Sequence, residues 1–118
     1  MYILDKLLHV QEVLVQLNKN FNMEKIKEIE TRLAEHYTVD KCILKVVEEC
    51  MELSEVLVKY LTKAEGYKPS TEKITEEAGD VLFRIEVLAR KLQIKDDINE
   101  RYINKSLQMD EWMNKKLE

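Results

Sequence analysis

Apolar residues recur along most of the chain at intervals of three and four positions, which is the period of an amphipathic α-helix. In the first third of the chain this spacing predicts a helix over 4–17 and a more polar helix over 23–36. Asparagines within the segment 18–22 favour a break between these two helices. A second boundary is predicted at 37–40, so the first third should form two helices set apart from the centre of the chain.

The centre of the chain contains two longer helical patterns, each apolar on most sides. The first spans 41–63 and the second spans 71–92, with a loop over 66–70 that holds a glycine and the only proline. Each pattern is preceded by residues that can cap a helix: Thr38 or Asp40 for the first, Ser70 or Thr71 for the second. A further helix of moderate amphipathicity is predicted to start at Asp97.

These patterns predict an all-α fold, a helical bundle whose long central helices run antiparallel. A helix that is apolar on most sides is packed on most sides, and the amphipathic neighbours are too few to cover both central helices. We therefore expect a homo-oligomer in which a second copy buries the remaining faces. The plain alternative is a self-contained monomeric bundle.

Composition and charge narrow the class of protein. The 118 residues are 45% hydrophobic and 36% charged and include two glycines, which predicts one helical domain over 1–118 and excludes a disordered tail or a turn-rich sandwich. The net charge of −4 disfavours nucleic acid as a partner. No apolar run approaches the roughly 18 residues of a spanning helix, so no membrane partner is expected.

The two cysteines bear on the cellular compartment. If Cys42 and Cys50 share one helix, they lie about 12 Å apart along its axis, which is too far for a disulfide bond. Two unpaired and buried thiols favour a reducing compartment, so a cytoplasmic location is expected.

Two acidic clusters lie on the two central helices. Glu49 and Glu52 are three positions apart on the first, and Glu77 and Asp80 are three apart on the second. Side chains at this spacing point to the same side of a helix. If the helices pack antiparallel, four carboxylates can converge, which is unfavourable without a cation. Four oxygen ligands and no histidine suit Mg²⁺ or Mn²⁺.

Either cluster alone is weak support for a metal site, because charged helices commonly display solvated acidic faces. The second cluster is less easily explained that way, since Gly79 costs about 1 kcal/mol relative to alanine inside a helix. A mid-helix Gly79–Asp80 pair in an apolar segment predicts a close backbone approach and a functional carboxylate. A di-iron bundle needs Glu-x-x-His on two helices, and neither His9 nor His36 follows a glutamate at that spacing.

Taken together, the two clusters resemble the motifs of the MazG-like all-α nucleoside triphosphate pyrophosphohydrolases. The segment 46–53 carries Glu-Glu-x-x-Glu, and the segment 75–83 carries Glu-x-x-Asp with similar apolar flanks. The resemblance covers about 41–107, whereas the first helices, over 1–37, are less similar to the family. It implies an enzyme that converts an NTP or dNTP to the monophosphate and pyrophosphate, working as a dimer or tetramer.

The resemblance also implies roles for particular residues. Mg²⁺, or Mn²⁺ in its place, would be bound by four carboxylates: Glu49, Glu52, Glu77 and Asp80. The adjacent Glu48 or Glu76 could accept the proton of the attacking water. The resemblance also places Asn104 and Lys105 near the phosphates. Apart from the resemblance, Lys59, two turns beyond Glu52 on the same side of its helix, could contact phosphate oxygens as a point charge.

Two alternative functions stay open at this point. The chain could be a non-catalytic helical oligomer or interaction module, which the absence of the family's usual arginine after Lys105 slightly favours. It could also belong to the same superfamily and act on a phosphoribosyl-ATP-like compound. Members of that kind carry an aromatic–histidine pair after the aspartate motif, where this chain has Phe83 and Arg84.

Overall fold

Four α-helices account for most of the chain in a computed structural model, which describes residues 2–117 and their side chains except at 2, 4, 20, 21 and 117. The helices are α1 (Tyr2–His36), α2 (Val39–Thr62), α3 (Thr71–Leu92) and α4 (Lys95–Leu117). A short 3-10 helix, Glu65–Tyr67, lies between α2 and α3. The described range contains no strand, so the all-α fold class is confirmed.

Helix α1 runs without interruption for 35 residues. The predicted break at 18–22 is therefore wrong. Asparagine costs a helix only about 0.7 kcal/mol relative to alanine, and this stretch contains neither glycine nor proline. The helical patterns on its two sides can therefore continue through it as one helix.

The other helix ends follow local capping signals. The Thr38 and Ser70 hydroxyls each accept a hydrogen bond from the backbone N–H three residues on, at 3.2 and 3.3 Å. These two residues are the N-caps of α2 and α3. Helix α3 ends at Leu92, and its C-cap residue Gln93 adopts the left-handed conformation with φ of 58°. The chain then turns at once into α4, which begins at Lys95 rather than at the predicted Asp97.

Helix α3 is the central element, packing most extensively on α2 and less on α1 and α4. A small core joins the end of α1, the start of α2 and the second half of α3 through Ala34, Cys42 and Val87. Partly buried side chains surround it: Leu33, Tyr37, Phe83 and Leu88. This core holds α2 beside α3, the arrangement on which the acidic residues depend.

A partly buried ion pair links α1 to α3 beside this core. The Arg90 Nε donates a hydrogen bond to Glu30 Oε2 at 2.7 Å. Glu30 is only 6% exposed, so its charge is neutralised by a partner that lies 60 positions away in sequence. The pair therefore fixes how the end of α1 sits against the end of α3.

Many apolar side chains predicted to be enclosed are exposed in the single chain. On α2 the most exposed are Leu44, Met51, Val58 and Leu61, and on α1 exposure is widespread from Ile3 to Leu17. Cys42 is buried but Cys50 is exposed, so the expectation of two buried thiols is wrong for Cys50, although both are free. Self-association, the predicted way to cover these faces, stays a prediction.

The described residues include no helix that combines the length and the apolar character needed to cross a bilayer.

Candidate metal centre

Three glutamates from two helices meet at one point on the surface of the α2–α3 pair. Glu49 and Glu52 come from α2, where a spacing of three positions places them on one side. Glu77 comes from α3. One carboxylate oxygen from each lies within 4.8 Å of the others. These are three of the four carboxylates that the motifs assign to a metal ion, and we call them the carboxylate cluster.

The three members of the carboxylate cluster differ in burial, and the one on α3 is the most buried. Glu77 is 6% exposed, Glu49 is half-buried and Glu52 is exposed. The Oε2 atoms of Glu77 and Glu49 are both inaccessible to solvent, and neither has a hydrogen-bond partner among the described residues. Leaving a buried polar atom unsatisfied costs about 1–3 kcal/mol. The cluster is therefore deeper and less satisfied than a solvated acidic face.

The charges in the cluster act on one another. The negative charge of Glu49 is the main cause that raises the pKa of the Glu52 carboxyl, and a hydrogen bond with Glu49, partial burial and the charge of Glu77 add to it. On the neighbouring side, a hydrogen bond to Glu77 raises the pKa of the Lys73 ammonium. The cluster therefore carries excess negative charge that a cation would neutralise.

The donor set fits a hard divalent cation. It consists of carboxylate oxygens without histidine or cysteine, which is the chemistry that Mg²⁺ and Mn²⁺ prefer. The unsatisfied Oε2 atoms of Glu49 and Glu77 are the kind of buried acceptor that an ion would satisfy. The exposed Glu52 leaves one side of the cluster open to solvent, so water or substrate can reach a bound ion.

Asp80 does not belong to the carboxylate cluster in this chain. It is exposed, although it stands in an apolar segment of α3, and it lies outside the group formed by the three glutamates. The predicted close approach at Gly79 is not found in the single chain, since a Cβ atom built there meets none of the described residues within 4 Å. Gly79 itself is exposed.

The two candidate proton acceptors lie beside the cluster in sequence and are held by nearby lysines. Glu48 is exposed and pairs with Lys45 at 3.4 Å. Glu76 is exposed and pairs with Lys73 at 3.6 Å. Neither carboxylate is among the oxygens that converge. Their exposure leaves both accessible to water, and their role stays a prediction.

The three candidate phosphate contacts are all exposed. Lys59 forms an ion pair with Glu55 at 2.8 Å on α2. Asn104 and Lys105 lie on α4, which has only a small contact with α3. Within the described residues, none of the three forms a hydrogen bond or ion pair with the cluster. Their contribution to substrate binding stays a prediction.

Lys73 is a functional candidate that sequence reasoning missed. Its Nζ lies 3.0 Å from Glu77 Oε1, so it is the ammonium that contacts the most buried member of the cluster. The sequence spacing could have predicted this contact, because a lysine four positions before a glutamate on a helix is placed to pair with it.

Comparisons of this chain with family models, with curated proteins and with solved structures find no match.

Proposed function

We propose that this protein is a Mg²⁺-dependent nucleotide pyrophosphohydrolase that cleaves an NTP or dNTP to the monophosphate and pyrophosphate. The observation that carries the proposal is the convergence of Glu49, Glu52 and Glu77, with two of their oxygens buried and unsatisfied. The order and flanks of the two acidic motifs, which resemble those of MazG-like enzymes, supply the reaction class.

An antiparallel arrangement of α2 and α3 is part of this proposal. Near the start of α2, Cys42 clusters with Val87. Further along α2, Glu49 and Glu52 approach Glu77, which comes earlier in α3 than Val87. Later positions on α2 thus contact earlier positions on α3, which supports an antiparallel pair of helices. The two acidic motifs can face each other only in such a pair.

In the proposed site the three glutamates would hold Mg²⁺, with Asp80 as the further candidate ligand on α3. When bound, Mg²⁺ neutralises phosphate charge and makes a water molecule more acidic. The scaffold then positions the ligands: Glu77 is held by burial in α3, and Glu49 is half-buried on α2. Phosphoryl chemistry depends mainly on such positioning and charge stabilisation.

The residues around the cluster would handle the proton and the substrate. Glu48 or Glu76 accepts the proton of the attacking water, because both are exposed beside the cluster and held only by ion pairs longer than 3 Å. Lys59, Asn104 and Lys105 bind phosphate oxygens from the solvent side. Exposed pairs such as Lys59 with Glu55 contribute little stability, so Lys59 can exchange its partner at low cost.

The proposal is tested by measuring pyrophosphate release from a panel of NTPs and dNTPs with Mg²⁺ and with a chelator. We expect Mg²⁺-dependent release from at least one nucleotide, with the monophosphate as co-product. The Glu49→Gln variant should lose this activity. Glu28→Gln is the matched control, because Glu28 is an exposed α1 residue whose only described ion pair is to Lys25. Release of orthophosphate, or no turnover of any nucleotide, would contradict the proposal.

Self-association is proposed as the second property of the active form. The exposed apolar faces of α1 and α2 are more extensive than a monomer of this size usually shows. We expect a dimer or tetramer in sedimentation experiments at micromolar concentration. A mass near 14.1 kDa, that of one chain, would contradict this expectation.

These same faces also favour the second candidate function, a helical oligomer or interaction module without catalysis. That function predicts assembly without nucleotide turnover, and calorimetry would then show no Mg²⁺ binding at the carboxylate cluster. The combination of assembly with Mg²⁺ binding and pyrophosphate release would exclude it.

A cytoplasmic location is proposed from the cysteines. Cys42 and Cys50 are both free, and Cys50 is exposed. An exposed free thiol persists more readily where the surroundings are reducing. Fractionation of cells that produce the protein should find it in the cytoplasm, and recovery from an oxidising compartment would contradict this.

A further inference from the structure

The two oxygens of the Glu77 carboxylate have different surroundings. Oε1 forms an ion pair with Lys73 Nζ of the same helix, at 3.0 Å. Oε2 is buried and has no partner among the described residues. Because the side chain of Glu77 is only 8% exposed, water can do little to compensate for the missing donor. One oxygen is thus held while the other is free to accept.

The Lys73 pair differs from other lysine pairs near the site. On α2, Lys45 pairs with Glu48 and Lys59 pairs with Glu55, both exposed glutamates outside the carboxylate cluster. Lys73 instead donates to the cluster's most buried member, while its own side chain is about half exposed. Exposed pairs have small effects, whereas this pair constrains a carboxylate that is already buried.

The charges also leave room for a cation beside Lys73. When all three glutamates are ionised they carry three negative charges, and Lys73, which also pairs with Glu76, offsets at most one of them, so at least two negative charges remain for a divalent ion to neutralise. Lys73 occupies Oε1 and leaves Oε2 available. The ammonium and a metal ion can therefore bind the same carboxylate together and need not compete for it.

We propose that Lys73 is a positioning residue of the metal centre: by holding Oε1 of Glu77, it presents Oε2 to a divalent cation. This inference rests on the proposed function, because it assumes that the cluster binds the ion. Partners that orient a ligating carboxylate typically change metal affinity by about 10- to 100-fold when removed. Lys73 acts on the ion through Glu77 and does not itself contact the reacting atoms.

The test is calorimetric titration of Mg²⁺, with Mn²⁺ titration followed by electron paramagnetic resonance as a second probe, into the whole protein. Lys73→Met should bind either ion about 10- to 100-fold more weakly than wild type. Lys73→Arg keeps the charge and a donor, so it should recover most of the affinity. Lys25→Met is the matched control, because it removes a comparable lysine–glutamate pair on α1, and it should bind as wild type does.

Each result separates the inference from the function on which it rests. If wild type binds neither ion, the proposed metal site is wrong. If wild type binds and Lys73→Met binds equally well, Lys73 has no positioning role. If Lys73→Met binds more tightly, Lys73 is instead a counter-ion that the metal must displace, and the inference is overturned. Should Lys73→Met fail to fold, Lys73→Leu provides the same comparison, because it also removes both the charge and the donor.

Discussion

The chain buries two glutamates to the same extent, and their surroundings differ. Glu30 and Glu77 are each 6% exposed. Glu30 receives the guanidinium of Arg90 from another helix at 2.7 Å, and neither of its oxygens is left buried without a partner. Glu77 receives Lys73 from its own helix on one oxygen, its other oxygen has no partner among the described residues, and its carboxylate converges with two more.

This difference separates a structural carboxylate from a candidate site. Burying a charge is costly unless the protein supplies partners, and Arg90 supplies one to Glu30. At Glu77 the protein supplies a partner for one oxygen and adds the repulsion of Glu49 and Glu52. A buried acceptor that the protein leaves without a partner marks a candidate binding site for an external ligand. Burial alone would not have distinguished the two residues.

The largest effect is expected from Glu77→Gln, which keeps the shape and removes the charge. We expect Mg²⁺-dependent pyrophosphate release to fall by about 100-fold or more, because a direct ligand is lost. Stability without metal should hold or rise, since the substitution removes a buried charge that Lys73 meets on one oxygen only and that two other carboxylates repel. Thermal melts with and without Mg²⁺ measure both effects. A variant that is destabilised equally in both conditions would show that Glu77 is structural in the way Glu30 is.

The next largest effect is expected from Arg90→Met, which leaves Glu30 buried without its partner. Breaking a buried pair in this way should lower the free energy of unfolding by about 2–4 kcal/mol, somewhat less than for a fully enclosed pair because Arg90 is partly exposed. Urea denaturation measures this difference.

The double variant Glu30→Gln with Arg90→Met is the control for that experiment, because it removes the orphaned charge. It should be more stable than Arg90→Met alone. Metal affinity at the carboxylate cluster should stay unchanged in the double variant if its fold is intact. Unfolding of Arg90→Met at the wild-type urea concentration would show that the pair does not support the fold.

The two buried glutamates also show what could be predicted from the sequence. Glu77 belongs to a local motif, and its spacing from Asp80 marked it as a candidate, just as the Thr38 and Ser70 caps followed from local patterns. The pair between Glu30 and Arg90 joins positions 60 apart in sequence, so no local sequence pattern could predict it.

The exposure of Asp80 could not be predicted for a related reason. Its helix face is decided by which neighbours pack on α3, and the sequence pattern shows only that the helix is broadly apolar. The predicted break in α1 does not occur because the helix penalty of asparagine is small and the patterns on both sides favour a helix. Local signals therefore predicted elements and motif residues, whereas the pairing of distant helices determined which carboxylates met.

The smallest effect is expected in the pH dependence of stability, where two exposed glutamates of α2 should act with opposite signs. The charge of Glu49 raises the pKa of Glu52, so the Glu52 contribution is fully present below the ordinary glutamate pKa and is lost as pH rises through the raised value. The hydrogen bond from Lys59 lowers the pKa of Glu55, so the Glu55 contribution is present above the ordinary value and is lost as pH falls through the lowered one.

Melting temperatures of the metal-free protein from acidic to neutral pH test this contrast. Because Glu52 weakens the fold once ionised, Glu52→Gln should gain stability relative to wild type as pH rises, while Glu55→Gln should lose it. Adding Mg²⁺ should stabilise wild type increasingly toward neutral pH, since a cation favours the ionised cluster, and should do so much less for Glu52→Gln. Both carboxyls are solvent-exposed and screened by salt, so low ionic strength is needed to resolve the difference. Parallel pH profiles for the two variants would mean that the charges of Glu49 and Glu77 do not affect Glu52. Glu52 would then belong to the solvated acidic face of α2, and only Glu49 and Glu77 would remain as candidate metal ligands.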